Sequence, residues 1–214
     1  MTGKRNFAKK RRDIASKNPR PVLLIVSEGD NVTESQYFRS FQKQNSAYTI
    51  RMVIAKHITN PEGMLSALQK KWRELELDER KGDAAYIVLD LDCNENKAKI
   101  IKLLSQKSKN IRFVVSNPCF EVWFLLHFRY STKSYINSDA AISELREYVP
   151  EYEKRTDVFP IIFENTDVAV KHTEQLSKYY EELGYEWPSN ERNPFTDVPV
   201  IIHKFNIQRG DEKI

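Results

Sequence analysis

The chain has 214 residues, of which 40% are hydrophobic and 30% charged, and it carries a formal net charge of +4. This length is sufficient for one large domain or for a domain with an appendage, and the composition is typical of a soluble protein. No segment approaches the roughly 18 consecutive apolar residues of a membrane span, so no such span is expected. We therefore expect no membrane partner.

The predicted location is the cytoplasm. The N-terminus lacks the apolar segment of a signal peptide, so export is not expected. The two cysteines, Cys93 and Cys119, form no CxxC pair. This usage fits a reducing compartment and argues against a disulfide framework.

A basic arm precedes the first apolar run. Residues 1–20 contain eight basic side chains and one acid, a net charge of +7, which leaves −3 for residues 21–214. The densest cluster is Lys9, Lys10, Arg11 and Arg12. Such an arm could neutralise phosphates and give sequence-independent, salt-sensitive affinity for nucleic acid. A solvated, flexible leader explains the same composition equally well.

Strands and helices alternate in the first part of the chain. Apolar runs predict strands at Val22–Ser27 and at residues 48–55, 84–89 and 111–115. Helices are predicted from Thr33, from Asn60-Pro61 and near residues 95–106. The order βαβαβαβ predicts an α/β fold, with a mostly parallel sheet flanked by helices and right-handed crossovers.

The strand pattern fades after about residue 130. Helices are predicted near residues 138–149, 168–183 and 196–205. The predicted organisation is therefore a basic arm (1–20), an α/β core (21–130) and a C-terminal helical appendage that packs on the core (131–214).

Acidic residues follow two of the predicted strands. Glu28 follows the first strand, and Asp90 and Asp92 follow the third. Ligands of open α/β sheets bind outside the carboxyl ends of the strands, and alternation would point both aspartates the same way if their strand continues. Hard oxygen ligands suit Mg²⁺ or Mn²⁺, which can orient a water and stabilise a phosphoryl transition state. The alternative is that these carboxylates cap loops or are solvated.

A further acid lies in an apolar block after the fourth strand. Residues 119–128 are nearly all apolar, which predicts a helix buried on most sides, and Glu121 near its start is the exception. A buried carboxylate is costly unless it is paired, hydrogen-bonded or bound to a metal. Alternatively, Glu121 is an acid that the helix dipole favours. His127 lies on another face of this helix and is predicted to be a core histidine.

Together these segments resemble the RloB family. The matching residues are Glu28-Gly29 with Thr33-Glu34, Asp90-Leu91-Asp92, the block Ser116-Asn117-Pro118-x-Phe120-Glu121-x-Trp123-x-Leu125-Leu126-His127-Phe128, and Asn193-Pro194-Phe195-Thr196-x-Val198. The resemblance spans roughly residues 22–202. It implies a Toprim-like fold, the metal-binding domain of topoisomerases, DnaG-type primases and OLD-family nucleases. Members occur in restriction-modification and abortive-infection loci, often beside an AAA-type ATPase.

The resemblance also implies roles for the acids. By position, Glu28 is the Toprim glutamate, and Asp90 and Asp92 are its DxD pair. Glu34 matches the second acid of the family's E-G…T-E motif, and Glu121 matches the family's later glutamate. Extra acids of this kind complete a second metal site in OLD-type nucleases.

One departure from the family pattern leaves an alternative for Glu34. Three residues rather than two separate Gly29 from Thr33, so Asp30 could take the place of Glu34. The sequence also does not select among Lys56, Lys97 and Lys171 as a cation for the transition state.

The predicted function is a Mg²⁺- or Mn²⁺-dependent nuclease of a phage-defence system, acting on DNA or RNA with an AAA-type ATPase partner. The six glycines form neither GxxxxGK[ST] nor GxGxxG, so ATP hydrolysis is expected only of the partner. The alternative is a non-catalytic subunit that uses the same scaffold to bind nucleic acid or the ATPase.

Overall fold

The computed structural model describes residues 20–28, 32–44, 47–54, 58–108 and 110–206. The arm with Lys9, Lys10, Arg11 and Arg12, together with Asp30 and Lys56, lies outside the described residues. The strands are β1 (Val22–Ser27), β2 (Thr49–Val53), β3 (Ala84–Asp90), β4 (Ile111–Asn117) and β5 (Phe195–Thr196). The helices are α1 (Val32–Gln44), α2 (Pro61–Glu74), α3 (Glu95–Lys107), α4 (Glu121–Leu125), α5 (Ser138–Leu145), α6 (Phe159–Ile162), α7 (Thr166–Glu182) and α8 (Pro199–Asn206).

The five strands form one sheet in the order β2-β1-β3-β4-β5. The first four are parallel, and β5 is antiparallel to β4. This confirms the predicted α/β class, with a mostly parallel sheet, flanking helices and a C-terminal helical part. Within the described ranges, no helix is long and apolar enough to cross a membrane.

The sheet is buried on both faces. On one face, Leu24, Ile87 and Phe113 pack with apolar residues of α2 and α3. On the other face, Leu23 and Val88 join a larger cluster that includes α1, α4 and the C-terminal helices. Burial on both faces explains why the central strands have continuous apolar sequences rather than alternating ones.

The start of α2 agrees with the sequence prediction. The Asn60 side chain accepts a hydrogen bond from the Gly63 backbone N–H at 2.7 Å, and Pro61 is the first helical residue. At α3, the Asn94 side chain accepts a bond from the Lys97 N–H at 3.1 Å. These caps satisfy N–H groups that have no partner inside the helix, and the second cap places Lys97 in the first turn of α3.

Three helices are shorter than predicted, among them α5, which ends at Leu145 rather than near residue 149. Phe195 and Thr196 pair with Asn117 and Ser116 as an antiparallel strand, and α8 begins only at Pro199. The prediction of a helix from residue 196 is therefore wrong at its start, because a two-residue strand has no sequence periodicity. The block at residues 119–128 contains only the five-residue helix α4, followed by turns.

The C-terminal part contacts the opposite edge of the sheet through α8. Phe205 is fully buried, and its ring centroid lies 4.8 Å from that of Phe41 on α1 and 6.1 Å from that of Tyr48 beside β2. The C-terminal part thus pairs with β4 through β5, and through α8 it packs near β2 at the other edge of the sheet.

Asp197 forms hydrogen bonds that stabilise the junction between β5 and α8. Its Oδ2 accepts hydrogen bonds from Trp187 Nε1 at 2.5 Å and from the Val115 N–H at 3.3 Å. Its own N–H donates to the Val115 carbonyl at 2.8 Å. Burial raises the pKa of Asp197 to about 7, although the bonds from Trp187 and Val115 oppose this shift.

We expect Phe205→Ala to lower the free energy of unfolding by about 3–5 kcal/mol, because it leaves a cavity between α8 and α1. Urea denaturation of the full chain measures this change. Ile136→Ala is the control, since Ile136 is 86% exposed and its loss should be nearly neutral. Equal stability of the two variants would contradict the packing of α8 described above.

We expect Asp197→Asn to remove part of the pH dependence of stability. The pKa of Asp197 is raised in the folded protein, so the folded state binds more protons and stability falls as pH rises from about 4 to about 7. Asparagine keeps an oxygen acceptor but loses the charge. Urea titrations at pH 4.5 and 7.5 measure the free energy of unfolding of both proteins. Between these two pH values, the free energy of unfolding of the variant relative to that of wild type should rise by an amount on the order of a few kcal/mol. A constant difference between the two proteins would contradict the shift.

Candidate metal centre

The acids at the carboxyl ends of β1 and β3 lie at one edge of the sheet. In the parallel register of β1 and β3, Ser27 pairs with Val88. Glu28, the residue after β1, therefore lies next to Leu89. Asp90 is the last residue of β3 and is level with Ser116 of β4. Parallel pairing thus brings together the residues that the sequence places about sixty positions apart.

Asp90 is the most strongly perturbed acid of this group. Its Oδ1 is buried and has no hydrogen-bond partner within the described part of the chain. Burial raises the pKa of Asp90 well above its usual value, and the charges of Glu34, Glu121, Asp92 and Glu28 add to the effect. Four other carboxylates therefore lie close enough to act on Asp90, and a cation would relieve both the repulsion and the missing partner.

Glu34 belongs to the same cluster. It lies in the first turn of α1 and is half-buried. Burial raises its pKa to about 7, with further contributions from the charges of Glu121 and Glu28, while its own backbone N–H and the Lys154 charge oppose them. The charges of Glu121 and Glu28 thus act on Glu34 despite the longer spacing of its motif.

Asp92 is placed by a turn rather than by strand alternation. β3 ends at Asp90, and Asp92 and Cys93 both have a φ of 54°, in the left-handed region. The strand does not continue through Asp92, so the condition under which alternation would point both aspartates the same way is not met. The turn is held because the Leu91 N–H donates to the Ser116 carbonyl at 2.7 Å and the Asp92 N–H donates to the Pro118 carbonyl at 3.0 Å.

Lys97 lies between two of the acids. Its Nζ donates to Glu28 Oε2 at 2.9 Å and to Asp92 Oδ2 at 3.0 Å. Burial opposes the charged form, but the bonds and charges of these carboxylates raise the pKa of Lys97. Of the two candidate lysines within the described ranges, Lys97 is therefore observed at the site, whereas Lys171 is exposed on α7.

Glu121 is the first residue of α4 and is only 3% exposed. Its Oε1 accepts a hydrogen bond from the Tyr152 hydroxyl at 2.8 Å. Burial raises the pKa of Tyr152 far above its usual value, and the charge of the nearby Glu121 adds to this effect. Tyr152 is thus a neutral donor to Glu121.

His127 is a core histidine, as predicted. It is buried, and its Nδ1 bonds to the Trp123 carbonyl at 2.8 Å. Burial lowers the pKa of His127 to about 4, so the ring is neutral at pH 7.

Two motif asparagines connect the site to the C-terminal part, and reasoning from the sequence did not assign them a role. Asn117 accepts a bond from the Cys93 N–H at 3.2 Å and donates to the Arg192 carbonyl at 2.7 Å. Asn193 donates to the Tyr135 carbonyl at 2.7 Å and to Cys93 Sγ at 3.4 Å. The sequence signal that could have identified them is their position in two motifs of the family resemblance, the block that begins at Ser116 and the motif that begins at Asn193.

The five acids offer oxygen donors that suit a hard divalent cation, although their side chains are not arranged around a common point. Among the described residues, no three His, Cys, Asp or Glu side chains are arranged as a metal-binding group. Glu28 and Asp92 instead form ion pairs with the ammonium group of Lys97. Five clustered carboxylates and the unpartnered oxygen of Asp90 nevertheless supply the oxygen ligands that Mg²⁺ and Mn²⁺ prefer.

Comparison with known proteins identifies the family. A family model described as RloB-like protein matches residues 23–205, a segment that contains all five acids, Lys97, Tyr152 and both asparagines. No curated protein and no solved structure matches the sequence. Because the family model covers most of the chain, this protein belongs to the RloB-like protein family.

Proposed function

We propose that this protein is a Mg²⁺- or Mn²⁺-dependent nuclease with its active site at the carboxyl end of the sheet. The observation that carries the proposal is the buried Oδ1 of Asp90, which has no hydrogen-bond partner among the described residues; four neighbouring carboxylates raise the pKa of Asp90 further. A buried group of this kind is destabilising unless its charge is compensated. Strongly perturbed carboxylates are also a frequent property of functional sites.

In this proposal Glu28, Asp90 and Asp92 hold the cation, and Glu34 and Glu121 complete the site. A bound Mg²⁺ or Mn²⁺ would lower the pKa of a coordinated water and stabilise negative charge on a phosphodiester. Lys97 would exchange its two carboxylate partners for the phosphate and so contribute a positive charge close to the reacting group. The placement of Glu28 and the Asp90/Asp92 pair on adjacent strand ends supports the Toprim-like assignment.

The biological setting is proposed from the family resemblance. It comprises phage defence in the cytoplasm, a DNA or RNA substrate and an AAA-type ATPase partner. The lack of a phosphate-binding loop in the sequence supports the assignment of ATP hydrolysis to a partner.

We expect Glu28→Gln and Asp90→Asn to abolish metal-dependent cleavage. Each removes one oxygen charge, so Mn²⁺ affinity should fall at least about 100-fold, more than the loss of an outer-shell contact causes. Calorimetry measures Mn²⁺ binding, and gels of plasmid DNA, single-stranded DNA and folded RNA measure cleavage. Glu62→Gln, an exposed acid in the first turn of α2, is the control. Wild-type cleavage by both site variants would disprove the assignment.

Replacement of Lys97 should separate metal binding from turnover. Lys97→Met removes the charge that neutralises Glu28 and Asp92. We expect Mn²⁺ to bind several-fold more tightly, because a competing cation is gone. The cleavage rate at saturating Mn²⁺ should fall on the order of 100-fold, because a charge near the phosphate is lost. A variant that both binds Mn²⁺ more weakly and cleaves normally would contradict this role.

A second candidate function is a non-catalytic subunit that binds nucleic acid or the ATPase. Its specific support is that Lys97 already neutralises Glu28 and Asp92 in the structure. The experiments above distinguish the two candidates. A wild-type protein that binds no Mn²⁺ and cleaves no substrate, but loses nucleic-acid affinity when residues 1–20 are deleted, would be the non-catalytic subunit.

A further inference from the structure

A hydroxyl from the C-terminal part of the chain reaches the buried acid of α4. Tyr152 lies between α5 and α6 and is fully buried. Its hydroxyl donates to Glu121 Oε1 at 2.8 Å, across 31 residues of sequence. The α/β core therefore does not supply all the groups that contact the acids.

The position of Tyr152 is fixed from several sides. Its ring packs edge-on against Phe124 at a centroid distance of 6.3 Å. Its N–H donates to the Val149 carbonyl at 3.1 Å, and its carbonyl accepts a bond from Arg146 Nε at 3.0 Å. A hydroxyl held in this way has little freedom to leave Glu121.

The same segment also contacts the start of α1. The Thr33 hydroxyl, next to Glu34, donates to the Lys154 carbonyl at 2.8 Å. Residues 149–154 therefore connect the starts of α1 and α4, the two helices that carry Glu34 and Glu121.

Tyr152 and Lys97 stabilise their carboxylates in different ways. Lys97 adds a positive charge at Glu28 and Asp92, and this charge competes with any cation that these acids could bind. The Tyr152 hydroxyl satisfies one oxygen of Glu121 without adding charge. It can therefore hold Glu121 in place without competing with a cation for that side chain.

We propose that Tyr152 is a positioning residue that orients Glu121 toward the metal site, so that the C-terminal part of the chain completes this site. The inference rests on the proposed metal-dependent function. Tyr152 lies outside the acidic motifs, and the segment after α5 would contribute to cation binding through Glu121.

Tyr152→Phe tests the inference because it removes the hydroxyl and keeps the ring. Calorimetry should show a Mn²⁺ dissociation constant about 10- to 100-fold above that of wild type. Half-maximal cleavage should need correspondingly more Mn²⁺, and saturating Mn²⁺ should restore most of the rate. Tyr148→Phe is the matched control, since Tyr148 is a half-buried tyrosine that stacks on Phe128 at 4.8 Å. It should bind Mn²⁺ like wild type.

A double-mutant cycle adds a test that a packing role would not pass. If Tyr152 acts through Glu121, adding Tyr152→Phe to Glu121→Gln should cost no further Mn²⁺ affinity. Additive losses, or a Tyr152→Phe variant with a lower melting temperature but an unchanged dissociation constant, would overturn the inference and leave the metal site intact. Absence of Mn²⁺ binding by wild type would overturn the proposed function and this inference with it.

Discussion

Repulsion among carboxylates at the carboxyl end of the sheet is the constraint on which the rest of the structure depends. Parallel pairing brings Glu28 and Asp90 to one edge, and α1 and α4 add Glu34 and Glu121. Such a cluster opposes folding, as the raised pKa of Asp90 indicates. The fold tolerates it because the central strands are buried on both faces, and that apolar burial offsets local repulsion.

Two different devices reduce the repulsion. Lys97 compensates the outer acids with a positive charge, whereas Tyr152 compensates the buried Glu121 with a neutral hydrogen bond. A charged partner blocks a cation until it moves, but a neutral partner does not. The arrangement therefore combines a carboxylate pair that contacts a lysine with an inner acid that accepts a hydrogen bond from a neutral hydroxyl.

The C-terminal part is integrated with the sheet rather than appended to one face. β5 extends the sheet, Asp197 continues the contact to Val115, and Phe205 packs against α1 near the other edge. Asn193 and Asn117 link this part to the turn that carries Asp92. Changes in the C-terminal part can therefore reach the acids through short chains of hydrogen bonds.

The sequence by itself determined the order of strands and helices, the parallel sheet and the edge at which Glu28 and Asp90 meet, because apolar runs and helix caps such as Asn60 are local signals. It also singled out Glu121 as a buried charge. Only the tertiary structure decided the turn at Asp92, the position of Lys97 beside two acids, the strand β5 and the contact of Tyr152 with the acid of α4. Each of these depends on contacts between residues distant in sequence, such as Tyr152 with Glu121, and such contacts leave no periodic pattern in the chain.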